Sequence, residues 1–100
     1  MPVTWIAEQP LVFIHADGTR ETARIAVGLP ETVSDEEAAC AIVLEPLLPK
    51  PYLIKGASKL QALALAIRFV SNRLSDAIDD GTRIEFADGR SVVLDELFGA

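Results

Sequence analysis

Residues 56–81 read GASKLQALALAIRFVSNRLSDAIDDG, and the reading of this stretch decides the fold. Ser58 followed three residues later by Gln61 is a capping-box pattern: the hydroxyl accepts from the Gln61 amide while the Gln61 side chain reaches back. Leu60, Leu63, Ile67, Val70, Leu74 and Ile78 then recur at three- and four-residue spacing along one face. Gly81 supplies a left-handed stop, and neither Pro nor Gly interrupts residues 59–79. The spacing predicts one long helix over 59–79 with that stripe turned to the core.

The two halves of this helix differ. Between Leu60 and Val70 only Gln61 and Arg68 are strongly polar, so Ala62, Leu65, Ala66 and Phe69 add apolar surface outside the stripe. Beyond Val70 the residues Ser71, Asn72, Arg73, Ser75 and Asp76 leave only a narrow apolar stripe. A helix apolar nearly all round is covered on more than one side. The N-terminal half is therefore expected between the sheet and a second cover. Another segment of the chain is the simpler cover, and a second copy of the protein is the alternative.

The flanking sequence reads as strands. Leu11–Ala16 and residues 22–28 alternate around Asp17-Gly18, with Ala23, Ile25 and Val27 on one face and Thr22, Arg24 and Ala26 on the other. The same Ala-Asp-Gly turn recurs at 87–89, between RIEFA (83–87) and SVVL (91–94). A three-residue loop with a glycine bulge aligns Ile84 and Phe86 with Val92 and Leu94, whereas a two-residue loop mixes Ser91 into the apolar face. The bulged form is expected at both turns. Trp5–Glu8 reads as a separate short extended segment, with Pro10 at a bulge or edge. Residues 29–35 read as loop.

Ser34 and Glu37 also match a capping box, but CAIVL (40–44) is apolar, partly β-branched and ended by Pro46, so 38–45 reads as a central strand. Residues 46–51 form a connection whose Pro-x-x-Pro is a rigid link rather than a ligand for an aromatic groove. Residues 52–55 are a short strand feeding the helix, and 95–99 a final helical turn with Leu97 and Phe98 on the core. The order β-β-β-β-α-β-β, with short connections, gives an antiparallel sheet of five to six strands against one helix. This is a two-layer α+β fold.

One hundred residues, half of them apolar, make a single domain over 1–100 with one core. The single Cys40 excludes an internal disulfide and a multi-cysteine zinc site, and fits a reducing compartment. The first ten residues lack the basic-then-apolar pattern of a signal peptide, and Arg68 and Arg73 break the apolar run of the helix. A cytoplasmic protein without membrane contact is expected. The formal charge is −6, and residues 75–100 hold seven acidic against two basic side chains. That balance disfavours nucleic acid as a partner.

The residues that carry chemistry in other proteins are few. His15 is the only histidine and lies beside a turn, without companions that the sequence places for a triad, metal site or general base. Cys40, between apolar neighbours, reads as a buried inert thiol. The pairs Glu36-Glu37 and Asp79-Asp80 are adjacent rather than facing, which does not suit acid–base work. No catalytic residue, cofactor site or metal site is expected. Trp5, Tyr52, Lys55 and Lys59 remain candidates for an interaction surface, as do Leu65 and Phe69 on the over-apolar half of the helix.

The run Gly56-Ala-Ser58-Lys-Leu60-Gln61-Ala62-Leu63-Ala-Leu65-Ala66 resembles the Gly-x-x-x-x-Gln-Ala-Leu-x-Leu-Ala segment of a family of small bacterial proteins of unknown function. The resemblance implies a bacterial source and a compact α+β unit, and transfers no activity. Two functions follow from the whole reading. One is a non-catalytic interaction or assembly module, homodimeric or docked on another protein through the edge at Trp5–Glu8 or the face around Leu65 and Phe69. The other is an acidic inhibitor or immunity-type protein, whose Asp76, Asp79, Asp80, Asp95 and Glu96 cover a basic partner.

Overall fold

The structure is a computed structural model in which residues 2–99 are described. Its elements are β1 (Trp5–Ile14), β2 (Arg20–Gly28), β3 (Glu31–Ser34), β4 (Glu37–Glu45), β5 (Tyr52–Gly56), α1 (Lys59–Asp79), β6 (Arg83–Glu85) and α2 (Leu94–Leu97). All six strands join one curled antiparallel sheet, and α1 packs on one face of it. The α+β class and the bounds of the long helix are those read from the sequence.

The hydrogen-bonded path runs β3-β4-β2-β1-β6, with β5 also paired to β4. Ile42 pairs with both Val27 and Tyr52, and Ala38 with both Thr32 and Gly56. Hence β2 and β3 lie on the same flank of β4, and β5 occupies the other. β2 and β3 act as one bent arm of a long hairpin, closed at Asp35-Glu36. Ser34 Oγ accepts from the Glu36 amide at 3.3 Å, so its apparent capping box is a turn device.

Both Asp-Gly turns take the bulged form. His15 N donates to Thr19 O at 2.9 Å and Phe86 N to Arg90 O at 2.8 Å, each closing a three-residue loop. Gly18 and Gly89 have φ of 87° and 91°, the left-handed values that this bulge requires. Ile84 is accordingly buried, and Phe86, Val92 and Leu94 pack on the core.

Four details differ from the sequence reading. Trp5–Glu8 and the following strand are one strand, β1, with a register shift between Trp5 and Ala7 that leaves Ile6 as the extra residue. Residues 31–34 form β3 instead of loop, with all four side chains exposed. The return at 91–94 is reduced to a single bridge, Glu85 to Ser91, before the chain turns into α2. The last difference is the orientation of α1.

The residues of α1 that are buried are Ala62, Ala66, Val70, Leu74 and Ala77. At 100° per residue, the centre of this set lies about 60° around the helix from the centre of the expected stripe. Leu60 is consequently 77% exposed, and Ile67 and Ile78 sit on the margin. Alanine at 62 and 66 lets the helix backbone approach the sheet closely, which larger side chains there would prevent. The core beneath consists of Leu11, Phe13, Ala23, Ile25, Cys40, Ile42 and Leu44.

Gly56 fixes the entry to the helix. A Cβ on it would lie 2.6 Å from the Ala62 amide nitrogen, so only glycine fits where β5 runs into α1. Ser58 Oγ accepts from the Gln61 amide at 3.1 Å, and Gln61 Oε1 accepts from the Ala57 amide. Gly56, Ser58, Gln61 and Ala62 thus serve the strand-to-helix junction, and Ala66 packs in the core.

Candidate interaction surface

The helix lies over β4 and β5. Tyr52 and Leu53 of β5 point to opposite faces: Tyr52 is opposite the core residue Ile42, and Leu53 is opposite Ala41 on the outer face. Among the described residues, no strand pairs with the flank of β5 that faces away from β4. Its backbone groups on that flank are free to meet a partner.

On the helix side of this edge, Tyr52 stacks on Phe69, with centroids 5.6 Å apart and planes 2° from parallel. Leu65 stands one turn before Phe69 on the same flank of α1. Tyr52 is 52% exposed, Leu53 58% and Leu65 36%. Tyr52 covers Phe69, and Leu97 and Phe98 lie beside Ile67, so the internal cover expected for this half of the helix is present in part, while Leu65 stays exposed. The result is an apolar strip that starts on α1, crosses the edge of β5 and continues on the outer face at Leu53. There Leu53 joins Val3, Leu29 and Val33 around a shallow hollow of about 180 Å³.

Of the other residues singled out from the sequence, Lys55 follows Leu53 on the outer face of β5 and the rest stand apart from this strip. Trp5 is on the outer face at the start of β1, with the Arg24 guanidinium 5.8 Å from its ring centre. Arg24 in turn bridges Glu8 and Glu45, and hydrogen bonding to Glu8 raises its pKa. Trp5 is therefore on the face of the sheet opposite α1 and is not a neighbour of Leu65. Asp76, Asp79 and Asp80 crowd the C-terminal end of α1, all exposed, with Asp76 and Asp80 beside Arg73 and Leu47. Lys55 on β5 pairs with Glu37 at 3.6 Å. Lys59 is exposed in the first turn.

The chemical side chains are also placed. His15 Nε2 is 2.8 Å from Glu21 Oε1, both exposed at the first hairpin. Cys40 Sγ is buried and donates to Gly28 O at 3.3 Å, and desolvation raises its pKa, so the thiol stays protonated. Among the described residues, no group of three or more His, Cys, Asp or Glu is positioned to hold a metal ion. Likewise no helix among them is long and apolar enough to cross a membrane.

Comparison with protein-family models, with curated proteins and with solved structures gives no significant match to this chain.

The sequence pointed to Leu65, Phe69 and Tyr52, and the structure brings these three together. Leu53 went unnoticed. Its signal was the run Tyr52-Leu53-Ile54, apolar on both faces, which suits a strand with neighbours on both sides better than one at an edge.

Proposed function

We propose that this protein is a non-catalytic protein-interaction module, and that its docking face is the free edge of β5 together with the Leu65–Phe69 flank of α1. The observation that carries this reading is the coincidence of two unmet needs at one place. An unpaired strand edge offers main-chain hydrogen bonds. Half-exposed Tyr52, Leu53 and Leu65 border it, giving a partner strand apolar cover on both faces.

The test places a photo-crosslinking amino acid at Leu65 in the full chain, in cells that naturally make it, with a control at Asp17 in the first hairpin. Discrete adducts from position 65 and none from position 17 are expected. No adduct from position 65, or the same bands from both positions, overturns the docking face.

A further inference from the structure

We infer that the partner is a second copy of this chain, paired β5 to β5 and α1 to α1 about one twofold axis; this rests on the docking-face reading above. Three features of the surface agree on that axis.

The first is the strand. Opposite residues of an antiparallel pair share a face, so a twofold between two β5 strands must relate a residue to itself. Centred on Leu53, the pairing sets Leu53 against Leu53 on the outer face and Tyr52 against Ile54 on the helix face. Tyr52, Leu53 and Ile54 then each meet an apolar residue, and Lys55 meets Pro51 of the other copy. Pro51 just before the strand and Lys55 within it confine this ladder to a few residues and discourage open-ended addition.

The second is spacing. Neighbouring strands lie about 4.8 Å apart, and α1 covers β4 and β5. A helix axis over the gap between those two strands stands roughly 5 Å from a twofold at the β5 edge. The two helices are then about 10 Å apart, at the upper end of the ordinary packing distance of about 8–10 Å. Both seams close together, with Leu65 and Phe69 filling the helix seam. A foreign strand without a helix would leave those two residues uncovered.

The third is charge. The first turn of α1 contains no acidic residue and its last turn no basic one, the reverse of what the helix dipole favours. Lys59 and Asp79 have no ion-pair partner among the described residues. A twofold beside Phe69, whose ring lies on Tyr52 next to Leu53, sets α1 antiparallel to its mate. Lys59 and Asp79 are equidistant from Phe69 in sequence, so each Lys59 comes level with the Asp79 of the other copy along the helix axes, Lys59 on the sheet side of the seam and Asp79 on its solvent side. Each positive helix start then faces an acidic helix end.

The experiment is light scattering behind a sizing column, from about 1 µM to about 1 mM protein. The expected mass is twice the 10.8 kDa of the chain at the upper end. Leu65→Asp is expected to weaken the dimer at least about 100-fold, because it places two carboxylates in the seam. Lys59→Glu and Asp79→Lys are each expected to weaken it by roughly 3- to 10-fold, and the double exchange to restore it to within about twofold. Circular dichroism of each variant confirms the fold. A monomer over the whole range overturns self-pairing; Leu65 adducts of foreign mass would then keep the docking face alone. A dimer indifferent to Leu65→Asp places self-association elsewhere and overturns self-pairing at this face; adducts of foreign mass at Leu65 would again keep the docking face alone. A double exchange that fails to restore pairing overturns the Phe69-centred register.

Discussion

Tyr52 lies face to face with Phe69, ring centroids 5.6 Å apart, and so ties the edge strand β5 to the middle of α1. Both residues are only partly buried, so the stack holds the docking face in shape rather than filling the core. Stacked aromatic pairs contribute about 0.5–1.5 kcal/mol beyond their burial. A double-mutant cycle with Tyr52→Ala and Phe69→Ala, read by urea unfolding below any self-association, is expected to show a coupling in that range. Additive effects would mean that the two rings do not meet in solution.

The orientation of α1 makes a sharper contrast. Ala66 is fully buried against the sheet while Leu60 points to water. Ala66→Leu is expected to cost about 1–3 kcal/mol by overpacking, and Leu60→Ala less than about 0.5 kcal/mol. Had the leucine-rich stripe faced the core, the order would be reversed. Chemical denaturation of the two variants decides between these orientations.

At the start of the helix, the Ala62 backbone leaves no room for a side chain on Gly56. Because the neighbours are backbone atoms, they cannot swing away as a side-chain tip would. Gly56→Ala is therefore expected to cost about 1–3 kcal/mol. Ser58→Ala, which removes only the acceptor for the Gln61 amide, is expected to cost about 1 kcal/mol. Thermal unfolding is the readout, and an unchanged melting temperature for Gly56→Ala would contradict the close junction.

Much of this architecture was legible in the chain. The two Ala-Asp-Gly turns announced themselves and their bulges because only one register separates apolar from polar faces. Residues 38–45 announced β4 by the apolar run at 40–44 and the proline that ends it at 46. The helix was bounded by Ser58 and Gly81. Its rotation was not legible, because alanines weigh little in a hydrophobic stripe yet allow the closest approach to a sheet. Nor was β3: its four exposed side chains carry no alternation, and only backbone pairing with β4 makes it a strand. Of the docking face, Leu65, Phe69 and Tyr52 were visible as excess apolar surface. Their meeting at one strand edge depends on where β5 lies in the sheet, which local sequence does not specify.

The two turn aspartates supply a dependence on pH. Hydrogen bonding from Thr19 lowers the pKa of Asp17, and hydrogen bonding from Arg90 lowers that of Asp88. In each case the folded carboxyl holds its proton less tightly than the unfolded one, whose value is near 3.8. The unfolded state therefore binds more protons between the two values. The contribution to stability is present above the unfolded pKa and is lost as pH falls through the folded one. Unfolding midpoints followed from about pH 5 to about pH 2 are expected to fall less steeply in the Asp17→Asn, Asp88→Asn double variant than in the wild type. Parallel profiles would contradict the assignment.

The most direct test of the docking face is amide hydrogen exchange across β5, measured at low and at high protein concentration. Pairing at this edge predicts that amides of Tyr52–Lys55 exchange more slowly as concentration rises, while those of the exposed strand β3 do not change. Exchange in β5 that is indifferent to concentration, in a sample that scatters light as a dimer, would place the contact elsewhere and contradict the account.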